Sequence, residues 1–179
     1  MVLNLNKYRI GLVILLAWPI FVSSVRAQGE CKLHKREVKA IHKVFDESVV
    51  ISPAGLNADL SSENKHYHPG DCLYRIMDSE EIRGYLLSTR AKGRYDYFDY
   101  SVIFSKDLIV RKVIVTVYRS THGAAICQKN WLSQFEGYQG RALELGRDID
   151  AVSGGTLSAT SLVGDIHRTY LLLSSLYDE

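Results

Sequence analysis

The stretch from residue 97 to residue 118 leaves the chain few choices. Two runs, 97–104 and 108–118, are rich in β-branched and aromatic residues, and Ser105-Lys106-Asp107 between them reads as a hairpin connection. In the second run Val113, Val115 and Val117 share one face and Lys112, Ile114 and Thr116 the other, which is the period of two that a strand imposes. The same alternation separates Tyr95, Tyr97 and Asp99 from Asp96, Phe98 and Tyr100, as a half-buried strand requires. Two shorter strands are predicted upstream, over 72–77 and 84–88. Asp78-Ser79-Glu80-Glu81 forms the turn between them, and Ala91-Lys92-Gly93-Arg94 a further turn.

Helical periodicity flanks these strands. Val38, Ile41 and Phe45 recur within 32–45, a short helix is predicted over 130–135 ending near Gly137, and Leu162, Ile166, Tyr170 and Leu173 form one stripe within 158–177. Residues 52–70 are poor in apolar side chains and hold Pro53, Gly55, Asn57, Ser61, Asn64 and Pro69, so they read as a loop. No internal repeat interrupts the order. Helix, adjacent strands, short helix, then turn and helix gives an α+β fold, a single domain with a mainly antiparallel sheet packed by helices.

The N-terminus is of another kind. Lys7 and Arg9 precede an uncharged run over 10–22, then Ser23-Ser24-Val25-Arg26-Ala27. That order is a secretory signal peptide, 1–27. The apolar run is short for a span of about 20 residues and contains Pro19; left uncleaved, the leader would instead act as a membrane anchor. Export, periplasmic or otherwise extracytoplasmic, is therefore expected. Beyond the leader the reading divides the chain into an N-terminal helix and polar loop, 28–70, and a domain over 71–179. Residues 28–179 carry 19 basic against 20 acidic side chains, a balance that gives no support for nucleic-acid binding. Three cysteines, Cys31, Cys72 and Cys127, permit a disulfide in an exported protein but leave the pairing open. The absence of Cys-x-x-Cys removes a thioredoxin motif and c-type haem attachment.

The chemistry is concentrated in Asp150-Ala151-Val152-Ser153-Gly154-Gly155-Thr156-Leu157-Ser158, read as lying where a short apolar strand ends and the last helix begins. Two glycines permit positive φ and a close approach of another group. Hydroxyls at a helix start face unpaired N–H groups and the positive end of the helix dipole, where a phosphate is favoured. Taken by itself the stretch is equally a plain turn, with Ser or Thr as an ordinary helix cap.

The stretch resembles the attachment motif of the FMN-binding domain family, which includes the small flavin-carrying subunits of the sodium-pumping NADH:quinone oxidoreductase and of the Rnf complex. Asp150, Ser153, Gly154, Thr156 and Ser158 match its pattern, and Gly155 stands where the family usually has Ala. Upstream, a strand over 113–118, then Thr121-His122-Gly123, Trp131 and Phe135-Glu136-Gly137 follow the family's order, with His122 where relatives often have Pro. The likeness covers about 72–173. It implies FMN held by a phosphoester on Thr156, with Ser153, Gly154, Gly155, Leu157, Ser158, Asp150, Thr121, His122 and Gly123 around it. It also implies a flavin transferase that takes FAD and acts outside the cytoplasm, and redox partner proteins at the outer face of the cytoplasmic membrane. The protein would relay electrons rather than transform a substrate, the cofactor carrying the redox step.

Competing readings attach to several residues. Asp150 either serves the transfer step or forms the turn. Trp131 and Phe135, four apart on one helical face, read as core. Cys31-x-x-His34 and His66-x-His68-x-x-x-Cys72 would suit a zinc or copper site, but scattered histidines and one disulfide explain them more simply. A secreted binding or structural domain without flavin is the alternative of a different class. No Ser-His-Asp order, Walker loop or dinucleotide fingerprint is present.

Overall fold

A computed structural model describes residues 31–56 and 64–177. The expected leader, 1–27, lies outside the described residues, as does the middle of the 52–70 loop. No helix among the described residues is long and apolar enough to cross a membrane.

The elements run α1 (Lys35–Phe45), β1 (Val50–Pro53), β2 (Cys72–Asp78), β3 (Glu81–Lys92), β4 (Tyr97–Ser105), β5 (Val110–Val117), a 3-10 turn (Ala124–Cys127), α2 (Lys129–Leu132), a second 3-10 turn (Ser133–Phe135) and α3 (Thr156–Tyr177). The described strands form one antiparallel sheet in the order β1-β2-β3-β4-β5. The fold is a single α+β domain, as the residue patterns imply. Strand β4 runs one residue further than the 97–104 predicted. The hairpin at Ser105-Lys106-Asp107 is present, its Leu108 N–H donating to Ser105 O at 3.0 Å.

Three boundaries differ from expectation. Ala91 and Lys92, read as a turn, extend β3 and pair with Phe98 and Tyr97, so the turn begins at Gly93, whose N–H donates to Asp96 O at 2.8 Å. Residues 50–53 form an edge strand despite Pro53; Pro lacks a donor, and an edge position tolerates that. The apolar segment before the glycines is no strand but an isolated bridge between Leu145 and Ile149.

Alternation along the strands supplies both faces of the sheet with apolar side chains. Leu87, Phe98, Tyr100, Val102, Phe104, Val113 and Val115 join Leu162, Ile166 and Leu173 of α3 in one core. Tyr74, Ile76, Leu86 and Ile103 join Ala40 and Ile41 of α1 in the other. The molecule is thus layered as α1, sheet, α3. Burying side chains such as Phe98 (1 % exposed), Tyr100, Leu162 and Ile166 (each 0 %) contributes about 1.5–3 kcal/mol apiece. Trp131 and Phe135 are buried as read, their rings edge-to-face at 5.4 Å.

Helix α1 is held by polar contacts as well. His34 caps it by accepting from Arg36 N–H at 3.2 Å, and the buried Glu37 carboxylate accepts from His34 N–H and from the hydroxyls of Ser88 and Ser101 on the sheet. Cys31 is bonded to Cys72, Cα atoms 5.6 Å apart, which ties the chain before α1 to β2. Cys127 is a free, half-buried thiol, and burial pushes it up from the ordinary thiol range.

Candidate functional site

Thr156 is the first residue of α3. The helix has Gly155 before it, whose carbonyl accepts the first intrahelical bond from Ala159 N–H at 2.9 Å. Glycine in that position has no hydroxyl or carboxylate of its own to offer the first N–H groups of this 22-residue helix. The plain-cap reading of Thr156 therefore does not hold: it stands one residue inside the helix, with its side chain exposed. Gly154 has φ +70°, a left-handed conformation that costs L side chains about 1–2 kcal/mol, so this turn requires its first glycine for conformation.

The second glycine allows a close approach. Gly155 packs backbone against backbone on Gly123: a Cβ on Gly155 would meet Gly123 Cα at 3.4 Å and Val152 Cγ1 at 3.2 Å. A Cβ on Gly123, itself at φ +82°, would meet Tyr118 Oη at 2.7 Å and Gly155 Cα at 3.3 Å. Two segments far apart in sequence thus meet backbone to backbone, and the conformation and the tightest contact fall on Gly123.

Tyr118 locks the pair. Its hydroxyl donates to His122 O at 2.7 Å and lies 3.1 Å from the Oγ of the buried Ser158. Around this lock lies a depression of about 150 Å³ lined by Arg94, His122, Gly154, Gly155, Thr156, Leu157 and Ser158. The His122 ring is held by Thr121 Oγ1 at 3.0 Å from its Nδ1 and lies edge-on to Tyr95 at 6.0 Å. The Arg94 guanidinium sits 5.1 Å from the centre of the Tyr95 ring. A positive helix end, a cation and an exposed threonine hydroxyl face one depression, an arrangement suited to a phosphate group.

The structure brings together Gly154, Gly155, Thr156, Leu157, Ser158 and His122, with Gly123 behind them. It does not place Ser153, Asp150 or Thr121 in the lining. Asp150 is fixed through its backbone, its carbonyl accepting from Trp131 Nε1 at 2.7 Å and its N–H donating to Gln134 Oε1 at 2.9 Å. Sequence reasoning missed Arg94 and Tyr118 as site residues. Both belong to segments read only as a turn and a strand end, and only the strand register carries them to α3.

The described residues hold no cluster of His, Cys, Asp and Glu fit for a metal ion. Two of the cysteines in the metal reading are joined to each other.

The fold resembles the crystal structure of NqrC from Shewanella oneidensis, with a TM-score of 0.51 and 16% identity over 77% of this chain and 84% of that one. At that identity the likeness shows the fold, an FMN-binding-domain-like one, and nothing finer. No protein-family profile matches the chain and no curated protein does.

Proposed function

We propose that the protein is an exported electron-transfer flavoprotein that carries FMN as a phosphoester on Thr156. The observation that carries this reading is the position of Thr156: exposed, first in α3, next to a glycine at the start of the helix and beside Arg94. Support comes also from the NqrC-like fold and from the residue pattern Asp150, Ser153, Gly154, Thr156. The chain's own groups fit the phosphate. The N–H groups of the first turn and the Arg94 guanidinium would neutralise it, and Gly154 and Gly155 leave it room. When bound, FMN supplies electron acceptance and donation; the protein supplies position and local charge. Attachment is balanced as follows: Thr156 Oγ forms the bond to the FMN phosphorus of FAD, the pyrophosphate bond breaks, AMP leaves, and the hydroxyl proton is released to a base. A phosphoester suits an exported carrier, because a cofactor lost outside the cell has no pool to replace it. The partners are a flavin transferase and redox proteins at the outer face of the cytoplasmic membrane.

Intact mass of protein exported from a host that expresses a matching transferase tests this. The expected result is a gain of one FMN less one water, absent in Thr156→Ala. An unmodified mass, where the same transferase loads a known acceptor, would leave the flavin-free binding domain as the better reading.

A further inference from the structure

Helix α1 carries its charges on one side. At about 100° per residue, Lys35, Arg36, Lys39, His42 and Lys43 fall within an arc of about 120°. The opposite arc holds Glu37, Ala40 and Ile41, buried against the sheet. Lys35, Arg36, Lys39 and Lys43 are all exposed, whereas Glu37, the one carboxylate of the helix, is engaged beneath it by Ser88 and Ser101. Lys32, just ahead of the helix, is exposed too, and the half-exposed Lys112 pairs with Ile103 on the α1 side of the sheet. Asp46 and Glu47 come only after the last turn, where Asp46 accepts from the N–H groups of Glu47 and Ser48. The stripe works against the helix that bears it. Lys35 with Lys39, and Lys39 with Lys43, are like charges four residues apart, which destabilise a helix. Lys35 and Arg36 also sit in the first turn, at the positive end of the dipole; only His42 and Lys43, in the last turn, suit it. Among the described residues none of the four exposed cations pairs with a carboxylate; the ion pairs use His68, Arg119, Arg141, Arg147 and Arg168. One contact is made within the fold, from Arg36 Nη1 to Thr116 O at 3.3 Å.

We infer that the outer face of α1 docks on an anionic lipid surface. The stripe is straight and about 12 Å long from Lys35 to Lys43, so a flat anionic layer meets all of it at once. Protein partners are held by aromatic and apolar anchors. Among the described residues the exposed large apolar side chains are Val50, Tyr95, Tyr97, Val117 and Leu157, none of them on α1. The place of the helix in the chain agrees. The uncharged run over 10–22 ends 13 residues before Lys35, and the bond from Cys31 to Cys72 fixes the start of the domain beside α1. Basic segments next to a membrane-directed sequence attract anionic lipid. The apolar side of α1 is committed to the sheet, so nothing inserts, and the contact is electrostatic and weakened by salt. With α1 on the lipid, α3 and Thr156 lie on the other side of the sheet and stay open to solvent. The inference rests on the leader reading and not on the flavin.

Co-sedimentation with vesicles tests the docking face, using the full chain recovered from the exported fraction. Vesicles of phosphatidylglycerol and phosphatidylcholine in equal parts are compared with phosphatidylcholine alone. Binding is expected on the anionic vesicles only. It should weaken as salt rises from about 0.01 M to about 0.15 M, where the screening length falls from about 30 Å to about 8 Å. Each cation near such a surface contributes about fivefold to binding. The triple variant Lys35→Gln, Lys39→Gln, Lys43→Gln should therefore bind about a hundredfold more weakly, yet unfold in urea at an equal or higher midpoint because the repulsion is gone. Lys65→Gln, Arg83→Gln and Lys106→Gln together, exposed cations outside α1, should change binding by no more than about threefold. Equal losses in the two triple variants, or binding that the α1 changes leave intact, would overturn the proposal. Retention on immobilised polyglutamate without vesicle binding would assign the stripe to an acidic protein and overturn the lipid. A bimane dye on Lys39→Cys, in a Cys127→Ser background, reads the face even where the leader itself holds the protein on a vesicle. Its emission should shift to the blue on anionic vesicles and that of the same dye on Lys106→Cys should not; no shift at position 39 would overturn the proposal.

Discussion

The contact between Gly123 and Gly155 can be tested quantitatively with Gly123→Ala and Tyr118→Phe, singly and together. Alanine at position 123 must adopt φ +82°, at a cost of about 1–2 kcal/mol. Its Cβ also meets Tyr118 Oη at 2.7 Å, so the hydroxyl must move off His122 O and Ser158 Oγ, forfeiting about 1 kcal/mol more. Gly123→Ala should therefore destabilise the fold by about 2–3 kcal/mol. Tyr118→Phe removes the hydroxyl directly and leaves the Ser158 Oγ, in a residue only 2 % exposed, without that partner, costing about 1–2 kcal/mol. The double variant pays for the lost hydroxyl once, not twice. It should be less damaged than the sum of the singles by about 1 kcal/mol. Urea unfolding at constant m reads all four corners of the cycle; with m of about 1–3 kcal/mol/M, a 1 kcal/mol coupling moves the midpoint by several tenths molar. Additivity within about 0.5 kcal/mol would refute the reasoning, because it would mean that Tyr118 Oη does not lie over the space at Gly123.

Two further perturbations address the rest of the fold. Replacing Arg168 by Met leaves Asp71, whose side chain is fully buried, and Asp165 without their shared cation, and should cost about 3–5 kcal/mol in urea unfolding; pairing it with Asp71→Asn should recover part of the loss, and no recovery would contradict the network. Burial, reinforced by Tyr170, pushes the Tyr138 hydroxyl up to about 12 from 10. The folded state thus favours the protonated phenol, so this contribution to stability is complete below pH 10 and is lost as pH rises from 10 through about 12; ultraviolet absorbance titration should show Tyr138 ionising near pH 12, and ionisation near pH 10 would contradict its burial.

The sequence made the central hairpin legible because both of its strands obey a period of two, and it made α3 legible because Leu162, Ile166 and Leu173 fall on one stripe. Strand β1 was hidden by Pro53, which sequence rules assign to loops, and the length of β3 was hidden by Ala91-Lys92-Gly93-Arg94, whose composition resembles a turn. The glycine pair at positions 154 and 155 marked the site, yet its two glycines serve different ends: one for φ, one for contact with Gly123. That difference depends on a segment some 30 residues away, which no local pattern encodes. Arg94 and Tyr118 were illegible for the same reason. Each reaches the start of α3 through the pairing of β3 with β4 and of β4 with β5, and an arginine in a turn or a tyrosine at a strand end carries no mark of what lies across from it.

Because the sheet is a simple meander, every strand finds its partner in its sequence neighbour, and such local pairings form quickly. One face of that meander, with Phe98, Tyr100 and Phe104 upon it, stays uncovered until α3 arrives from the far end of the chain. A ribosome makes the platform long before it makes the cover. Thr156 gains its surroundings only when that cover lands, so the hydroxyl and its neighbouring cation exist as a pair in the finished molecule and not in its precursors.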